Sequence, residues 1–191
     1  MARFTRAELE TYNGATLPDL LGDRVELLFV GINPGLLTAA VQAHFARRGN
    51  RFYPALHRAG LIDRKIDASA GYLPEDLAHL LDRGIGITNL VARASARADE
   101  LDPAELTAGA VLLTELVERI QPNVVAILGI TAYRTAFGVR KALPGRQPER
   151  LGGAELWVVP NPSGLNAHDT VDSLAAAYRQ AGVAAGLVAS H

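Results

Sequence analysis

The fold of this 191-residue chain is decided by the stretch Val25-Glu26-Leu27-Leu28-Phe29-Val30-Gly31-Ile32-Asn33-Pro34-Gly35. Its apolar run predicts a central β-strand, and Asn, Pro and Gly are residues that form tight turns. The stretch Leu156-Trp157-Val158-Val159-Pro160 predicts another strand, followed by the loop Asn161-Pro162-Ser163-Gly164-Leu165-Asn166. In open α/β sheets, ligands bind beyond the carboxyl ends of parallel strands. The two loops are therefore expected to face one cleft from two sides.

Predicted strands and helices alternate along the rest of the chain. Residues 85–90 and 123–128 are apolar runs that predict two more buried strands. Helices are expected near residues 51–59 and after the capping box Asp102-Pro103-Ala104-Glu105. Residues 139–153, which are rich in Arg, Pro and Gly, are expected to form a loop or a β-turn excursion. The alternation predicts a parallel sheet between layers of helices.

The composition is that of one folded domain. With 49% hydrophobic and 20% charged residues, the chain is expected to fold as a single domain, with an N-terminal extension over residues 1–24 and a core over about 25–182. The absence of cysteine excludes disulfides, thiolate zinc sites and cysteine-bound iron–sulfur clusters. The five histidines form no close ligand pair. We expect neither a metal nor another cofactor.

Charge and hydropathy set limits on partners and location. No apolar run approaches the ~20 residues of a membrane helix, and residues 1–8 lack the apolar core of a secretory signal. We therefore expect a cytoplasmic protein without membrane contact. We also expect it to be a monomer, associated with the nucleoid and of bacterial type. A net charge of −1 argues against bulk electrostatic binding of nucleic acid. It leaves room for a local basic patch, because phosphate contacts need only a few well-placed groups.

Several motifs together resemble those of the mismatch-specific uracil and thymine DNA glycosylases, a family of the uracil-DNA glycosylase superfamily. Gly31-Ile32-Asn33-Pro34-Gly35 looks like the first active-site motif of that family, and Asn161-Pro162-Ser163-Gly164-Leu165 resembles the second. Asn50-Arg51-Phe52-Tyr53 and Gly86-Ile87-Thr88-Asn89-Leu90-Val91, followed by Arg93, also match. The resemblance covers residues 25–181. It implies a three-layer α/β/α fold with a central, mainly parallel sheet of four to five strands.

The resemblance implies a DNA repair enzyme. It would hydrolyse the N-glycosidic bond of uracil, and of thymine or modified pyrimidines, mispaired with guanine in double-stranded DNA. Such an enzyme flips the base out of the helix at a cost of roughly a few kcal/mol, which is smallest for a mispaired base. The activity is expected to be monofunctional, because no lysine lies in either motif.

The resemblance also assigns roles in the reaction. Asn33 would hold the attacking water near C1′; since an amide cannot accept a proton as a carboxylate can, it would act by positioning. Asp99 is a second catalytic candidate, because a carboxylate over the cleft could activate water or stabilise the positive sugar. Its alternative role is helix capping or surface charge. The residues expected to bind the base are Gly31, Ile32, Phe45 and Asn161, with Phe45 stacking on the ring.

The second motif would enter the DNA. Leu165 is expected to be a wedge that fills the space left by the flipped base. The wedge and minor-groove candidates are Ser163, Gly164, Leu165, Asn166 and His168. The family often has an arginine two residues after this leucine, whereas this chain has Ala167 and then His168. The resemblance therefore leaves open which residue would contact the orphaned guanine, with His168 as one candidate. The candidate DNA-backbone contacts, each otherwise a solvated surface charge, are Arg47, Arg48, Arg51, Arg93 and Arg97.

Two other classes of function remain open from the sequence. One is a non-catalytic module of the same fold that binds lesions or mismatches. The other is an α/β protein that binds a nucleotide phosphate with the Asn33 loop. Against the latter, the loop contains neither the G-x-G-x-x-G fingerprint nor a Gly-Lys-Ser/Thr phosphate loop.

Overall fold

The computed structural model describes residues 4–190, so the first three residues of the expected N-terminal extension lie outside it. Five strands form one sheet: β1 (Leu27–Gly31), β2 (Ile85–Asn89), β3 (Val124–Leu128), β4 (Gly145–Leu151) and β5 (Ala154–Val159). Their order is β2-β1-β3-β5-β4, and only β4 runs antiparallel to its neighbour. The mainly parallel sheet predicted from the sequence is confirmed.

Helices cover both faces of this sheet. They are α1 (Arg6–Glu10), α2 (Leu36–Val41), α3 (Phe52–Arg58), α4 (Pro74–Asp82), α5 (Pro103–Ile120), α6 (Ile130–Phe137) and α7 (Val171–Ala184). Alternate residues of β1 point to opposite faces, as the period of a strand requires. Leu27 and Phe29 join a core with residues of α3 and α7, and Leu28 and Val30 join another with residues of α5 and α6. The expected three-layer α/β/α architecture is therefore confirmed.

The helix ends follow the sequence signals. The Asp102 side chain accepts a hydrogen bond from Ala104 N, and the Glu105 carboxylate accepts one from Asp102 N, which closes the predicted capping box of α5. Pro103 occupies the first turn, where its missing N–H costs nothing. Because α5 begins directly after the segment that follows β2, this cap also fixes one wall of the cleft described below.

The edge strand β4 differs from its prediction as a loop or turn excursion. Its seven residues contain Pro148 and several charged side chains, and the pairing with β5 is irregular between Arg146 and Arg150. An edge strand pairs on one side only, so it tolerates a proline and benefits from charges that discourage further pairing. These features make the segment look like a loop in the sequence.

The sheet brings the two Asn-Pro loops together. Strands β1, β2, β3 and β5 are mutually parallel, so the segments after them emerge at the same edge of the sheet. β1 and β5 lie on either side of β3, which ends at Leu128 without a long loop of its own. A cleft therefore opens above β3 between the two loops, as the topology of open α/β sheets leads one to expect. No helix within residues 4–190 is long and apolar enough to cross a membrane.

Candidate active site

A pocket of about 330 Å³ lies in this cleft. Its volume falls in the range of small-molecule sites. It brings together many of the residues expected from the sequence: Gly31, Ile32, Asn33, Phe45, Arg47, Arg97, Asp99, Asn161, Ser163 and Leu165. The other expected site residues, which do not line the pocket, are Arg48, Arg51, Arg93, Gly164, Asn166 and His168. Among residues 4–190, no group of histidine, aspartate or glutamate side chains is arranged to hold a metal ion.

The Asn33 side chain has a fixed orientation. Its Nδ2 donates to the Arg93 carbonyl at 3.1 Å and to Ser95 Oγ at 2.8 Å. A carbonyl only accepts hydrogen bonds, so the nitrogen of the amide has to be the atom that faces it. The Ser95 hydroxyl in turn donates to the Arg97 carbonyl at 2.7 Å. Both amide protons are thus engaged, and Oδ1 is the atom left to accept a hydrogen bond from a bound water.

The Asn33 turn is joined to the segment after β2. Leu90 N and Val91 N donate to the carbonyls of Gly31 and Ile32, each at 2.9 Å, and Ser95 N donates to the Pro34 carbonyl at 3.1 Å. The β1–β2 pairing therefore continues past the ends of both strands. This extension holds the Asn33 turn against the residues that orient its side chain.

The floor of the pocket depends on a glycine. A Cβ at Gly31 would lie 2.4 Å from Asn89 Oδ1 and 3.5 Å from Phe45 Cζ, so a larger residue here would push the Asn89 amide out of its present place. Asn89 lines the pocket and was missed as a site residue in the sequence. Its position at the carboxyl end of β2 was the available signal, because this edge of the sheet is where the other loops emerge.

Phe45 has an unusual backbone conformation. Its φ of 56° lies in the left-handed region, which costs a residue with a side chain of order 1 kcal/mol. The ring stacks on Phe52 with centroids 4.0 Å apart. The preceding residue, His44, is held at both backbone groups, since Tyr53 Oη donates to its carbonyl at 2.9 Å and Tyr72 Oη accepts from its N–H at 3.1 Å. This pair of hydroxyls holds the chain in the conformation that presents Phe45 to the pocket.

The network around His44 is buried and neutral. Burial lowers the pKa of His44 to about 4, and its Nε2 lies 3.1 Å from the Pro18 carbonyl, which requires the proton on Nε2. Burial also raises the pKa of Tyr72 to about 12 and that of Tyr53 well above its ordinary value. Near neutral pH none of these three side chains carries a charge. They therefore shape the pocket without adding charge to it.

Asp99 lies at the mouth of the pocket, on the 3₁₀ turn Ala98–Glu100. Its carboxylate accepts hydrogen bonds from the Arg97 guanidinium, at 3.0 Å from Nε, and both side chains are about two-thirds exposed. Exposed ion pairs of this kind contribute little to stability. The arrangement places a carboxylate near the Asn33 turn, with a cation already paired to it.

The five arginines predicted to contact DNA occupy different environments. Arg47 and Arg48 are exposed on the segment after Phe45. Arg93 pairs with Glu105 through two hydrogen bonds of 2.6 and 2.8 Å, and these lower the pKa of Glu105 to about 2. Arg97 pairs with Asp99, as described above. Arg51 differs from the others, because its guanidinium points inward and donates to three backbone carbonyls.

Residues 161–169, here called the wedge loop, hold Leu165 away from the body of the protein. Leu165 is 70% exposed, to about the same degree as Leu112 and Leu143 elsewhere on the surface. Around it, Ser163 N donates to Asn161 Oδ1 at 2.9 Å, and Leu165 N donates to Ser163 Oγ at 3.2 Å. A Cβ at Gly164 would lie 2.9 Å from the Gly49 carbonyl, so a glycine is needed where the loop meets the neighbouring segment. A frame of polar contacts thus supports one projecting apolar side chain.

The fold and site define an α/β protein with a pocket of small-molecule size at the carboxyl edge of its sheet, flanked by an exposed leucine. The chain matches the family model of the Uracil DNA glycosylase superfamily over residues 18–181, and it belongs to that superfamily. Among solved structures it is similar to the solution NMR structure of a candidate uracil DNA glycosylase from Methanosarcina acetivorans. The TM-score is 0.60 at 17% identity, covering 91% of this chain and 98% of that one. This likeness supports the fold.

Proposed function

We propose that this protein is a monofunctional, mismatch-specific DNA glycosylase that releases uracil mispaired with guanine in duplex DNA. The observation that carries the proposal is the Asn33 amide, whose two protons are engaged by Arg93 O and Ser95 Oγ at the edge of the pocket. A fixed amide with its oxygen available can orient a water molecule. Membership of the superfamily supports hydrolysis of an N-glycosidic bond as the reaction.

The pocket suits a flipped pyrimidine. Phe45 offers an aromatic ring at the pocket and is backed by Phe52. Asn89 and Asn161 place side-chain amides at the lining, and an amide can match the alternating carbonyl and N–H groups on the edge of uracil. The backbone of the Gly31–Ile32 turn approaches the base closely because Gly31 has no side chain. Thymine and modified pyrimidines would enter to the extent that Gly31 leaves room for a ring substituent.

Hydrolysis would then proceed by water attack. Asn33 Oδ1 accepts a hydrogen bond from the water and turns its lone pair toward C1′. The C1′–N1 bond breaks, its electron pair leaves with the pyrimidine, and the water oxygen bonds to C1′ and gives up its proton to solvent. Because the amide takes up no proton, its contribution is positioning, and we expect a slow enzyme. The Asp99 carboxylate would stabilise the positive charge that develops on the sugar once a DNA phosphate draws the Arg97 guanidinium away from it.

DNA would be engaged from both sides of the pocket. Leu165 would enter the stack where the base has left, with Ser163, Asn166 and His168 beside it in the minor groove. Arg47 and Arg48 are exposed on the facing segment and would contact phosphates. Arg93 and Arg97 already have acidic partners, so their use by DNA would require an exchange of ion pairs.

The test is single-turnover release of uracil from a duplex with one G·U mispair. Wild-type protein should release the base, Asn33→Ala should lose most of the rate, and Asp99→Asn should lose a smaller part. Arg58→Ala is a matched control, because Arg58 forms an exposed ion pair with Asp172 and neither residue lines the pocket. If wild-type protein binds G·U duplex tightly but releases no base, the lesion-binding alternative replaces the enzyme. If Asp99→Asn retains the full rate, Asp99 has no part in the chemistry.

A further inference from the structure

Arg51 connects the two sides of the pocket. It immediately precedes α3, and its N–H donates to the Pro162 carbonyl at 3.0 Å. Its Nη2 donates to the carbonyls of Ser163 at 2.6 Å and Asn166 at 2.8 Å, and its Nη1 donates to the carbonyl of Asp169. One residue thus binds four carbonyls between positions 162 and 169. Its donors face the protein, which favours a structural use of the side chain over a phosphate contact.

The wedge loop needs such a partner. It contains no helix or strand, and Leu165 at its tip is mostly exposed and contributes little burial to hold the loop. The guanidinium binds the carbonyl of Ser163, before Leu165 in the sequence, and that of Asp169, after it. A planar guanidinium presents several donors in a fixed arrangement, whereas an ammonium presents a single centre. Arg51 is therefore suited to fix both arms of the loop at once.

We propose that Arg51 is a positioning residue that holds the wedge loop in the conformation that presents Leu165 to the DNA. This inference rests on the proposed function. A loop that is already ordered loses less conformational freedom when it enters the helix. Arg51 would therefore raise the rate of base release from duplex through flipping. It would act through Leu165, without contact with the reacting atoms.

The first test measures the loop without any reaction. Hydrogen exchange followed by mass spectrometry would compare wild type with Arg51→Ala, Arg51→Lys and the control Arg58→Ala. The amide of Asn166, which donates to Ser163 O at 2.9 Å, should exchange faster in both Arg51 variants, by about tenfold or more. Amides of the central strands β1 and β3 should keep their protection, and the control should match wild type. Unchanged exchange in the wedge loop, or an equal loss of protection in loop and strands, would overturn the proposal.

The second test measures coupling to Leu165. Single-turnover uracil release from G·U duplex would be compared for Arg51→Lys, Leu165→Ala and the double variant. If Arg51 acts through Leu165, the double variant should be no slower than the slower single variant, within about threefold. Rate losses that multiply would refute this route of action. If wild-type protein releases no uracil at all, the proposed function fails, while the exchange experiment still decides whether Arg51 holds the loop.

Discussion

Ser95 offers the sharpest test of how the Asn33 amide is held. The residue is 2% exposed, and its hydroxyl accepts a hydrogen bond from Asn33 Nδ2 at 2.8 Å and donates one to the Arg97 carbonyl at 2.7 Å. Ser95→Ala removes both bonds and leaves one amide proton of Asn33 without its acceptor. Of the two acceptors that hold the amide, the Arg93 carbonyl alone remains. We therefore expect the amide to turn more freely about its side-chain bonds.

The expected losses follow from the two bonds. A hydrogen bond within a protein contributes about 0.5–1.5 kcal/mol, so the free energy of unfolding should fall by about 2 kcal/mol. For a chain of this length that corresponds to a Tm lower by about 4–8 °C. For the reaction, one lost orienting bond of about 1 kcal/mol should slow base release from a G·U duplex by roughly five- to tenfold. Differential scanning calorimetry and single-turnover release measure the two effects.

A matched control separates stability from orientation. Thr88 is 3% exposed, and its hydroxyl donates to Asp19 Oδ1 at 2.7 Å, outside the pocket. Thr88→Val removes a buried hydroxyl of similar depth, so it should lower Tm while leaving the rate of release at 20 °C near that of wild type. If Ser95→Ala releases uracil as fast as wild type, the amide does not depend on Ser95. If both variants slow the reaction equally, the effect reflects general destabilisation.

Three further predictions concern the pocket and the wedge loop. Gly31→Ala would push against the flexible end of Asn89, so Tm should change little while base release falls about tenfold. Gly22→Ala is the control, because its Cβ would have contacts no closer than 3.4 Å. A rate of release in Gly31→Ala equal to that of wild type would count against the role of Gly31. Gly164→Ala would meet the backbone of Gly49, so release from duplex should fall with little effect on Tm, and normal release would show that the loop can shift freely. Burial lowers the pKa of His44 to about 4 in the folded protein, against near 6.5 in the unfolded chain. Between these two pH values the unfolded chain binds more protons than the folded one. The free energy of unfolding should therefore fall as the pH drops from about 6.5 to about 4, by at most about 3 kcal/mol. His44→Gln should flatten the dependence of Tm on pH in that window, and an equally steep decline would assign it to other groups.

Most of the fold could be predicted from the sequence because its signals are local. The apolar run of β1 and the capping box before α5 each lie within a few neighbouring residues. The edge strand β4 was missed because pairing on one side imposes little pattern on the sequence, and Pro148 suggested a loop. Its place in the sheet depends on β5, which supplies all of its pairing.

The candidate site was predictable in its residue types more than in its contacts. Asn33 and Leu165 stand in recognisable motifs, and both line the pocket. The partner of Asn33 lies about sixty residues away, and that of Arg51 more than a hundred. No local pattern shows whether an arginine faces solvent or a backbone carbonyl. Arg51 could therefore be predicted to lie near the site, but its inward direction could not.

The contacts of Asn33 suit the positioning role that we propose for an uncharged residue. The acceptors of its amide belong to the segment of Arg93 and Ser95, which is bonded to the Asn33 turn itself through Val91 N and Ser95 N. The Arg93 side chain is tied in turn to Glu105 in the first turn of α5. The reactive turn and the groups that orient it therefore form one continuous hydrogen-bonded unit. If Asn33 acts by positioning the water, as we propose, any substitution that loosens this unit should slow base release even when Asn33 is intact.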